Sequence, residues 1–563
     1  MICLIFCTIM LVSTNAIGLK INNDATEEHE DYKNTIENSK ILISENSEGY
    51  DYDPLVDLKI TFTIKEIRAL DKIDILSEPD FYITISVNDL PSKKSPVWHN
   101  TKYVKNPEWS ATFNIPDDVQ NATIKIQLWD ENIGADQLCD ISKDYDISDE
   151  SRDVELIYSI ITGHWWMDDA VTYYEDWDAR DDPSGYGRLN GCDDGSIYQN
   201  DRDCELIFDI TQNDYDGDSI PYWMEENIYN TDPMSSDLGF DPDNDGVPIE
   251  WEFKWGHYTW FDHWRGESWM QGFIYDPHTW EDHASFDFDN DGLDNVEEYK
   301  ASAEGFLTDP GRKDILLEID QMKIGPNGQG SLIPDLTKDL LWDAYSKHNI
   351  LFQIDDQGQV LPFDINTSGW RGPELQDIYY NYFLNGDLNN WRRGAFHYAP
   401  IVYKCDNHPG NMWTSEVWNR TKYSEKPENR SEISYFGDCF QVSTRHHDKL
   451  PYKYPIIYML FHRTLNKETQ RAIIYATAMM HETGHVLGIF HDNVPGCDNS
   501  NSVNPWDKEW WVWKTYRSCM NYGWMYKIVD YSDGSNGKYD FDDWNNIDLT
   551  RFQTEQNPDF SGF

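Results

Sequence analysis

A chain of 563 residues with 39% hydrophobic and 15% aromatic residues can bury several cores, which excludes both a disordered protein and a single small domain. Its 45 Lys and Arg against 101 Asp and Glu give a formal net charge of −56, which excludes nucleic acid as a partner and disfavours anionic lipid unless a cation intervenes. The excess acid is either a solvated, salt-tolerant surface or a large set of calcium ligands.

The chain begins MICLIFCTIMLVSTNA, an apolar run followed by small polar residues and Ala16. That is the pattern of a secretory signal peptide over 1–16, although no Lys or Arg precedes the run. A membrane anchor needs about 20 apolar residues, more than this run supplies, and no later stretch is long and apolar enough to span a bilayer. The expectation is a secreted, extracellular protein. Residues 17–53 are acidic, Asn/Glu-rich and without periodicity, as in a disordered linker or propeptide. Setting aside Cys3 and Cys7 in the leader, the nine cysteines become seven. In an oxidising compartment, proximity suggests the pairs Cys192–Cys204, Cys405–Cys439 and Cys497–Cys519, with Cys139 left over. Sequons at Asn121, Asn366, Asn419 and Asn429 fit export.

Over 54–212 the pattern turns strand-like. DLKITFTIKEI, DFYITISVN, WSATFNIP and ATIKIQLWD alternate apolar and polar residues between Asp, Asn, Pro and Gly turns, and DVELIYSIITGHW and CELIFDI continue them. Short strands at that spacing predict an all-β sandwich. Two acidic loops interrupt it, Asp74 to Asp80 and Asp130 to Asp136. This layout resembles the synaptotagmin-type (C-two) calcium- and lipid-binding sandwich, in which aspartates from two loops at one end chelate calcium. The resemblance implies that Asp74, Asp80, Asp130 and Asp136 are calcium ligands and that the domain docks on a membrane or another surface. Asn132 stands where an aspartate is expected, and a sandwich of the same fold that binds no calcium is the plainer alternative.

Residues 213–310 contain an internal repeat: DYDGDSIPYWME (214–225), DPDNDGVPIEWE (241–252) and DFDNDGLDNVEE (287–298). Each has acids at positions 1, 3 and 5 and glutamate at position 12, the template of an EF-hand loop. A loop folded around one ion turns alternate side chains inward, and the last glutamate adds two oxygens from the start of a helix. The calcium ligands are thus Asp214, Asp216, Asp218 and Glu225; Asp241, Asp243, Asp245 and Glu252; and Asp287, Asp289, Asp291 and Glu298. With TDP, YDP and TDP following the loops, the segment resembles the aspartate-rich calcium repeats of thrombospondin type 3. The Trp-rich insertion at 251–269 reads as packing under long loops, with a carbohydrate-stacking surface as the alternative.

From 311 the pattern changes again. KDILLEIDQM reads as a buried strand, DLTKDLLWDAYSKHN as an amphipathic helix and ILFQID as a second strand, a β-α-β start that predicts an α/β layer architecture over 311–563. ETQRAIIYATAMMHETGHVLGIF carries few charges, which places HETGHVLGIFH on a mostly buried helix. Positions i and i+4 share a helix face, so His481 and His485 project together toward one zinc ion, with Glu482 beside them to take a proton from bound water. Gly488 can adopt the left-handed conformation that ends a helix and turns the chain, returning His491 as a third ligand. The fourth position then stays open for water, as in a catalytic zinc site. A core helix with satisfied histidines is the plainer reading of a bare HExxH, but it does not explain Gly488 and His491.

HETGHVLGIFH resembles the long zinc signature of the metzincin metallopeptidases. That clan also carries a methionine turn beneath the metal, for which SCMNYG at 518–523 is the candidate. It would place Met520 below the zinc, and Tyr522 where astacin-like and serralysin-like members have a tyrosine that ligates the metal or stabilises the tetrahedral intermediate. The resemblance implies a zinc metalloendopeptidase in which Glu482 is the general base for zinc-activated water and then protonates the leaving amine, with Tyr522 assisting at the oxyanion. A Cys497–Cys519 bridge would tie the segment after His491 to the residue before Met520 and fix the floor of the site. The expected protein is therefore multidomain, with an N-terminal all-β sandwich, a calcium-loop segment and a C-terminal α/β metzincin catalytic domain. Its cofactors are catalytic Zn2+ and structural Ca2+, and its partner is a protein or peptide substrate. The rival expectation is a calcium-dependent adhesion or surface-binding protein with a latent peptidase domain.

Overall fold

The computed structural model describes residues 51–551 apart from 75–76, 143–151, 167–180, 183–185, 195–200, 257–274, 369–372, 407, 415–434, 451–464 and 504–505. The expected signal peptide, nearly all of the 17–53 segment, the sequons Asn419 and Asn429 and most of the Trp-rich insertion lie outside the described residues.

The first layer pair is an antiparallel sandwich. One sheet runs β11 (Gly187–Asn190), β12 (Cys204–Gln212), β1 (Lys59–Ala69) and β4 (Tyr103–Lys105), with β5 (Ser110–Asn114) also on β1. The other runs β10 (Asp181–Asp182), β9 (Trp165–Trp166), β8 (Val154–Ser159), β6 (Asn121–Asp130), β2 (Phe81–Val87) and β3 (Lys93–Lys94), with β7 (Gln137–Leu138) on β6. Alternation does the sorting. In β1 the residues Ile60, Phe62 and Ile64 point inward and in β6 Ile124, Ile126 and Leu128 do, all within one core.

Three acidic loops follow, each running into a short helix: α1 (Tyr222–Met224, widened over Glu225–Tyr229), α2 (Ile249–Trp255) and α3 (Asn295–Ala303). In α3, Asp294 accepts the Glu297 amide at 2.9 Å while Glu297 accepts the Asp294 amide at 3.2 Å, a capping box that satisfies two orphan donors.

The third region is a mixed sheet in the order β14 (Leu351–Asp355), β13 (Asp314–Glu318), β15 (His397–Tyr398), β18 (Tyr435–Ser443) and β16 (Ile401–Val402), with parallel pairings. A further strand, β17 (Gly410–Thr414), runs antiparallel to β18. Every residue of β13 is buried because both of its faces are covered. On one face Ile315 and Leu317 meet α4 (Leu336–Ser346) and α5 (Lys467–Val486) through Leu341, Tyr345, Tyr475 and Met479. On the other, Leu316 and Tyr398 share a core with Leu293 and Ala301 of the third acidic repeat. The expected boundary at 310 therefore runs through a common core, and the third repeat is packed onto the sheet.

α4 also joins the sandwich to this sheet. Arg68, 2% exposed, reaches Asp339 at 3.2 Å and Asp343 at 3.3 Å and lies 4.1 Å over the Trp342 ring. Beside it, Glu205 of β12 accepts from Ser346 at 2.9 Å and from the Trp342 indole at 3.0 Å. Among the described residues no helix is long and apolar enough to cross a membrane.

Candidate metal centres

Helix α5 starts at Asn466, whose side chain accepts the Thr469 amide at 2.9 Å. It ends where the Ile489 N–H reaches the Gly484 carbonyl at 2.8 Å and the Gly488 N–H reaches the His485 carbonyl at 3.1 Å. These are the paired bonds of a Schellman ending, and Gly488 takes the left-handed position with φ +100°. A side chain there would be strained and would crowd Arg551 at 3.0 Å. The turn read from the sequence at Gly488 is present.

His481, Glu482 and His485 lie buried on the last turns of this helix. A backbone carbonyl orients each imidazole through Nδ1: Cys519 for His481 at 3.0 Å, Ile489 for His485 at 2.7 Å and Cys497 for His491 at 2.9 Å. An Nδ1–H donated to a carbonyl leaves the Nε2 lone pair for a metal, the usual outer support of a ligating histidine. The Nε2 atoms of His481 and His485 both face Asp498, whose two carboxylate oxygens lie 3.2 and 3.3 Å away. His481, His485 and Asp498 bring their ligand atoms within 4.8 Å of one another. His491 stands at the exposed rim, and the residue that orients it, Cys497, is the chain neighbour of Asp498.

Sequence reasoning missed Asp498. No motif or period marks it, and it reaches the site only because its amide bonds the Met520 carbonyl at 3.1 Å with φ at +55°. Burial works against a charged His485, but Asp498 outweighs it and raises that imidazole to about 9. Burial likewise opposes a charged Asp498, yet the two imidazoles hold its carboxyl well below the usual range. The donor set of imidazole Nε2 atoms and one carboxylate suits zinc.

Below the helix, Met520 is fully buried, and a Cβ at Gly484 would come within 2.5 Å of its sulfur. The helix and the methionine turn approach this closely only because residue 484 is glycine. The Tyr522 ring stacks 5.6 Å from that of His481, and burial followed by the charge of Asp498 pushes its phenol above the ordinary value. Glu482 is 5% exposed, and its Oε1 lies where a Cβ at Gly410 of β17 would meet it at 2.7 Å. The antiparallel strand β17 thus runs directly past the candidate base.

The three expected disulfide pairs are not bonded, and the seven described cysteines are buried thiols. Cys204 instead shares the sandwich core with Cys139, its amide meeting the Asp140 carbonyl at 2.8 Å, while the Cys192 thiol donates to Asp203 at 3.4 Å. Cys497 and Cys519 share the core beneath the site, so the floor that a bridge was expected to fix is held by packing and by the Asp498–Met520 bond.

The three acidic loops follow the template residue by residue. The position-1 aspartates accept the amide at position 6: Asp214 from Ser219 at 2.8 Å, Asp241 from Gly246 at 3.2 Å and Asp287 from Gly292 at 3.0 Å. Position 6 is left-handed in each, with φ +74° at Ser219, +111° at Gly246 and +100° at Gly292. The position-12 glutamates Glu225, Glu252 and Glu298 are 1%, 0% and 2% exposed. Both oxygens of Asp216, Asp243 and Glu252, and one each of Asp289 and Glu298, are buried without a hydrogen-bond partner. A buried polar atom left so costs about 1–3 kcal/mol, and sets made only of carboxylate oxygen suit calcium. Burial, then repulsion from neighbouring aspartates, raises Glu225 to about 8 and Glu252 to about 10. Two residues outside the template join these clusters: Asp237 beside Asp218 and Glu225, and His283 beside Asp245 and Glu252.

In the sandwich, the Asp80 amide donates to Asp130 at 2.8 Å, and burial followed by the charges of Asp74 and Asp80 raises the Asp130 carboxyl. The charges of Asp74 and Asp80 thus act on Asp130, while the Asp80 carboxylate accepts the Asn100 amide at 2.6 Å. Asp136 accepts from the Tyr82 hydroxyl at 2.8 Å and the Asn132 amide at 3.1 Å. Asn132 donates to Asp130 at 2.8 Å, giving a hydrogen bond where an acid would add charge.

Residues 58–144 match the family model of the C2 domain. No curated protein matches the chain. Similar solved structures include human GIVD cytosolic phospholipase A2 in complex with methyl gamma-linolenyl fluorophosphonate, at 17% identity and a TM-score of 0.17, covering 28% of this chain and 17% of that one. A C2 domain of plant Extended Synaptotagmin 1 aligns at 13% identity and a TM-score of 0.17, covering 28% of this chain and 94% of that one. The calcium-bound pair of C2 domains of Extended-Synaptotagmin 2 aligns at 13% identity and a TM-score of 0.17, covering 28% of this chain and 46% of that one. The chain thus spans only 17% of the length of the phospholipase.

Proposed function

We propose that the chain is a zinc metalloendopeptidase whose α/β region carries the chemistry and whose calcium-binding modules shape and place it. The observation that carries this reading is the set of three imidazoles on one helix and its following turn, each anchored at Nδ1 by a main-chain carbonyl. The Schellman turn at Gly488, Met520 against Gly484 and Tyr522 beside His481 support it, as they match the layout expected of a metzincin.

His481, His485 and His491 would hold the zinc, and Asp498 stands ready as an oxygen ligand or as the anion that neutralises the imidazoles when the metal is lost. Zinc in such a set supplies Lewis acidity and a water acidic enough to ionise near neutrality. Glu482, buried beside the histidines, takes a proton from water at its carboxylate and returns it to the leaving nitrogen. Tyr522, its hydroxyl kept protonated, donates toward the oxygen that becomes negative. β17 offers an antiparallel edge along which an extended peptide can lie beside Glu482.

The test is Glu482→Gln, read by zinc content and by digestion of casein and a peptide library. The variant keeps stoichiometric zinc and loses activity by at least about 100-fold, the contribution of a general base. Undiminished turnover would overturn the mechanism.

A second reading is favoured by the C2 match over 58–144: calcium-dependent attachment to lipid or another surface, with the peptidase latent or secondary. The charges of Asp74 and Asp80 acting on Asp130 support calcium there. The net charge of −56 opposes anionic headgroups until calcium intervenes. Sedimentation with zwitterionic and anionic vesicles, with calcium and with chelator, tests it. Binding that ignores calcium or survives Asp130→Asn counts against it.

A further inference from the structure

We propose that the third calcium loop is closed by Asp314, the first residue of β13, so that one divalent cation bridges the repeat segment and the central strand of the α/β sheet. This rests on the calcium reading of the loops and adds to it a ligand outside the template and a mechanical consequence.

The three loops share a regularity. In each, the position-5 aspartate spends one oxygen on the amide at position 7: Asp218 on Ile220 at 2.9 Å, Asp245 on Val247 at 3.3 Å and Asp291 on Leu293 at 2.7 Å. Its other oxygen accepts the backbone N–H of a residue far downstream, from Asp237 at 2.9 Å, Glu281 at 3.3 Å and Asp314 at 2.6 Å. All three downstream residues are acids, and each stands five residues after the aspartate of the TDP, YDP or TDP that follows its loop. At the first loop the Asp237 carboxylate does join the cluster, its ligand atom lying within 4.8 Å of those of Asp218 and Glu225. The same bond geometry delivers Asp314 to the third loop.

The third site is also the most deeply enclosed. Asp289, Asp291, Glu298 and Asp314 are 7%, 2%, 2% and 2% exposed. Asp314 gives one oxygen to the Asp309 amide at 3.1 Å, while its other oxygen, with one each from Asp289 and Glu298, has no partner. The neighbouring guanidinium of Arg312 offsets part of the charge on Asp314 without bonding these oxygens. Arg312 donates Nη2 to the Leu307 carbonyl at 3.2 Å and approaches Asp309 at 4.0 Å, and its Nε and Nη1 make no hydrogen bond. Several carboxylates cannot share a water-poor site as anions unless a cation sits among them. A donor set of carboxylate oxygens alone selects a hard divalent ion such as calcium.

The consequence follows from what Asp314 belongs to. Ile315 and Leu317, beyond it on β13, share one core with α5, the helix that bears His481 and His485 and lies over β18 and β17 of the same sheet. Occupancy of the third loop therefore acts on a strand that shares a core with the zinc helix.

Hydrogen exchange of the β13 amides in the full-length protein, with calcium and with chelator, tests this beside calorimetric calcium titration. With calcium at about 100 times its dissociation constant, openings that release the ion are suppressed about 100-fold, and β13 exchange slows accordingly. Asp314→Asn removes most of that calcium-dependent slowing, whereas Asp237→Asn, the equivalent change at the first loop, leaves it. A wild-type protein that binds calcium with no change in β13 exchange overturns the bridge while sparing the calcium loops. A protein that binds no calcium overturns both. Should Asp314→Asn fail to fold, the wild-type comparison and Asp237→Asn still decide the matter.

Discussion

Gly484→Ala is the sharpest probe of the metal centre, because it adds one carbon at the point where helix and methionine turn meet. The new Cβ would stand 2.5 Å from the Met520 sulfur, 3.0 Å from its methyl and 3.1 Å from the Tyr531 ring. Ordinary contact needs about 3.5–4.0 Å, so the sulfur must move by more than about 1 Å, and Met520 and Tyr531 are 0% and 1% exposed with nowhere to go. Overpacking of this kind costs about 1–3 kcal/mol, offset by the roughly 1 kcal/mol that alanine gains over glycine inside a helix. The net is a destabilisation of about 0–2 kcal/mol by these two opposing effects. The larger effect falls on zinc. Displacing Met520 displaces Cys519, whose carbonyl orients His481, and Asp498, whose amide is bonded to the Met520 carbonyl. Lost support of a ligating histidine weakens metal binding by about 10–100-fold. Zinc competition against a chromophoric chelator measures this, with denaturant melts for stability. Met520→Ala in the same chain opens the missing space, and the double variant recovers affinity relative to Gly484→Ala. Unchanged zinc affinity together with raised stability would refute the close approach.

Arg68→Ala strips the shared cation from Glu66, Asp339 and Asp343 at the junction of sandwich and α4, a loss of about 3–5 kcal/mol for a broken buried pair. Denaturant unfolding followed by tryptophan fluorescence reads it, and a loss under about 1 kcal/mol would mean that the junction is solvated. Asp543 is fully buried and raised by that burial from 3.8 to about 6, with hydrogen bonds from Ser518 and Tyr516 opposing the shift. The folded state thus holds its proton more tightly than the unfolded chain. The stability from this group is complete below 3.8 and is lost as pH rises through about 6. Asp543→Asn should therefore gain in melting temperature relative to the parent between pH 4 and pH 7, and a constant difference across that range would contradict the assignment. Gly410→Ala should reduce activity without loss of zinc, as its Cβ would push into Glu482. Full activity would place β17 away from the base.

The alternating runs of β1 and β6, the three acidic loops and the HETGHVLGIFH helix were legible in the sequence because each is a local pattern. Strand period, loop template and helix face are set by residues a few positions apart, and Gly488 marks its own left-handed turn. Contacts that depend on distant segments meeting were not legible. Asp498 reaches the histidines through a bond to Met520, and Cys204 shares a core with Cys139 through a strand register, whereas Asp237 and Asp314 each stand five residues after the aspartate of a TDP, a spacing the sequence does carry. The hydroxyl of Tyr82, on a distant strand, donates to Asp136, a bond no local pattern marks. The chain by itself thus specifies which side chains can ligate. Tertiary packing decides which of them share a site, because backbone hydrogen bonds and shared cores bring remote carboxylates within reach of one ion.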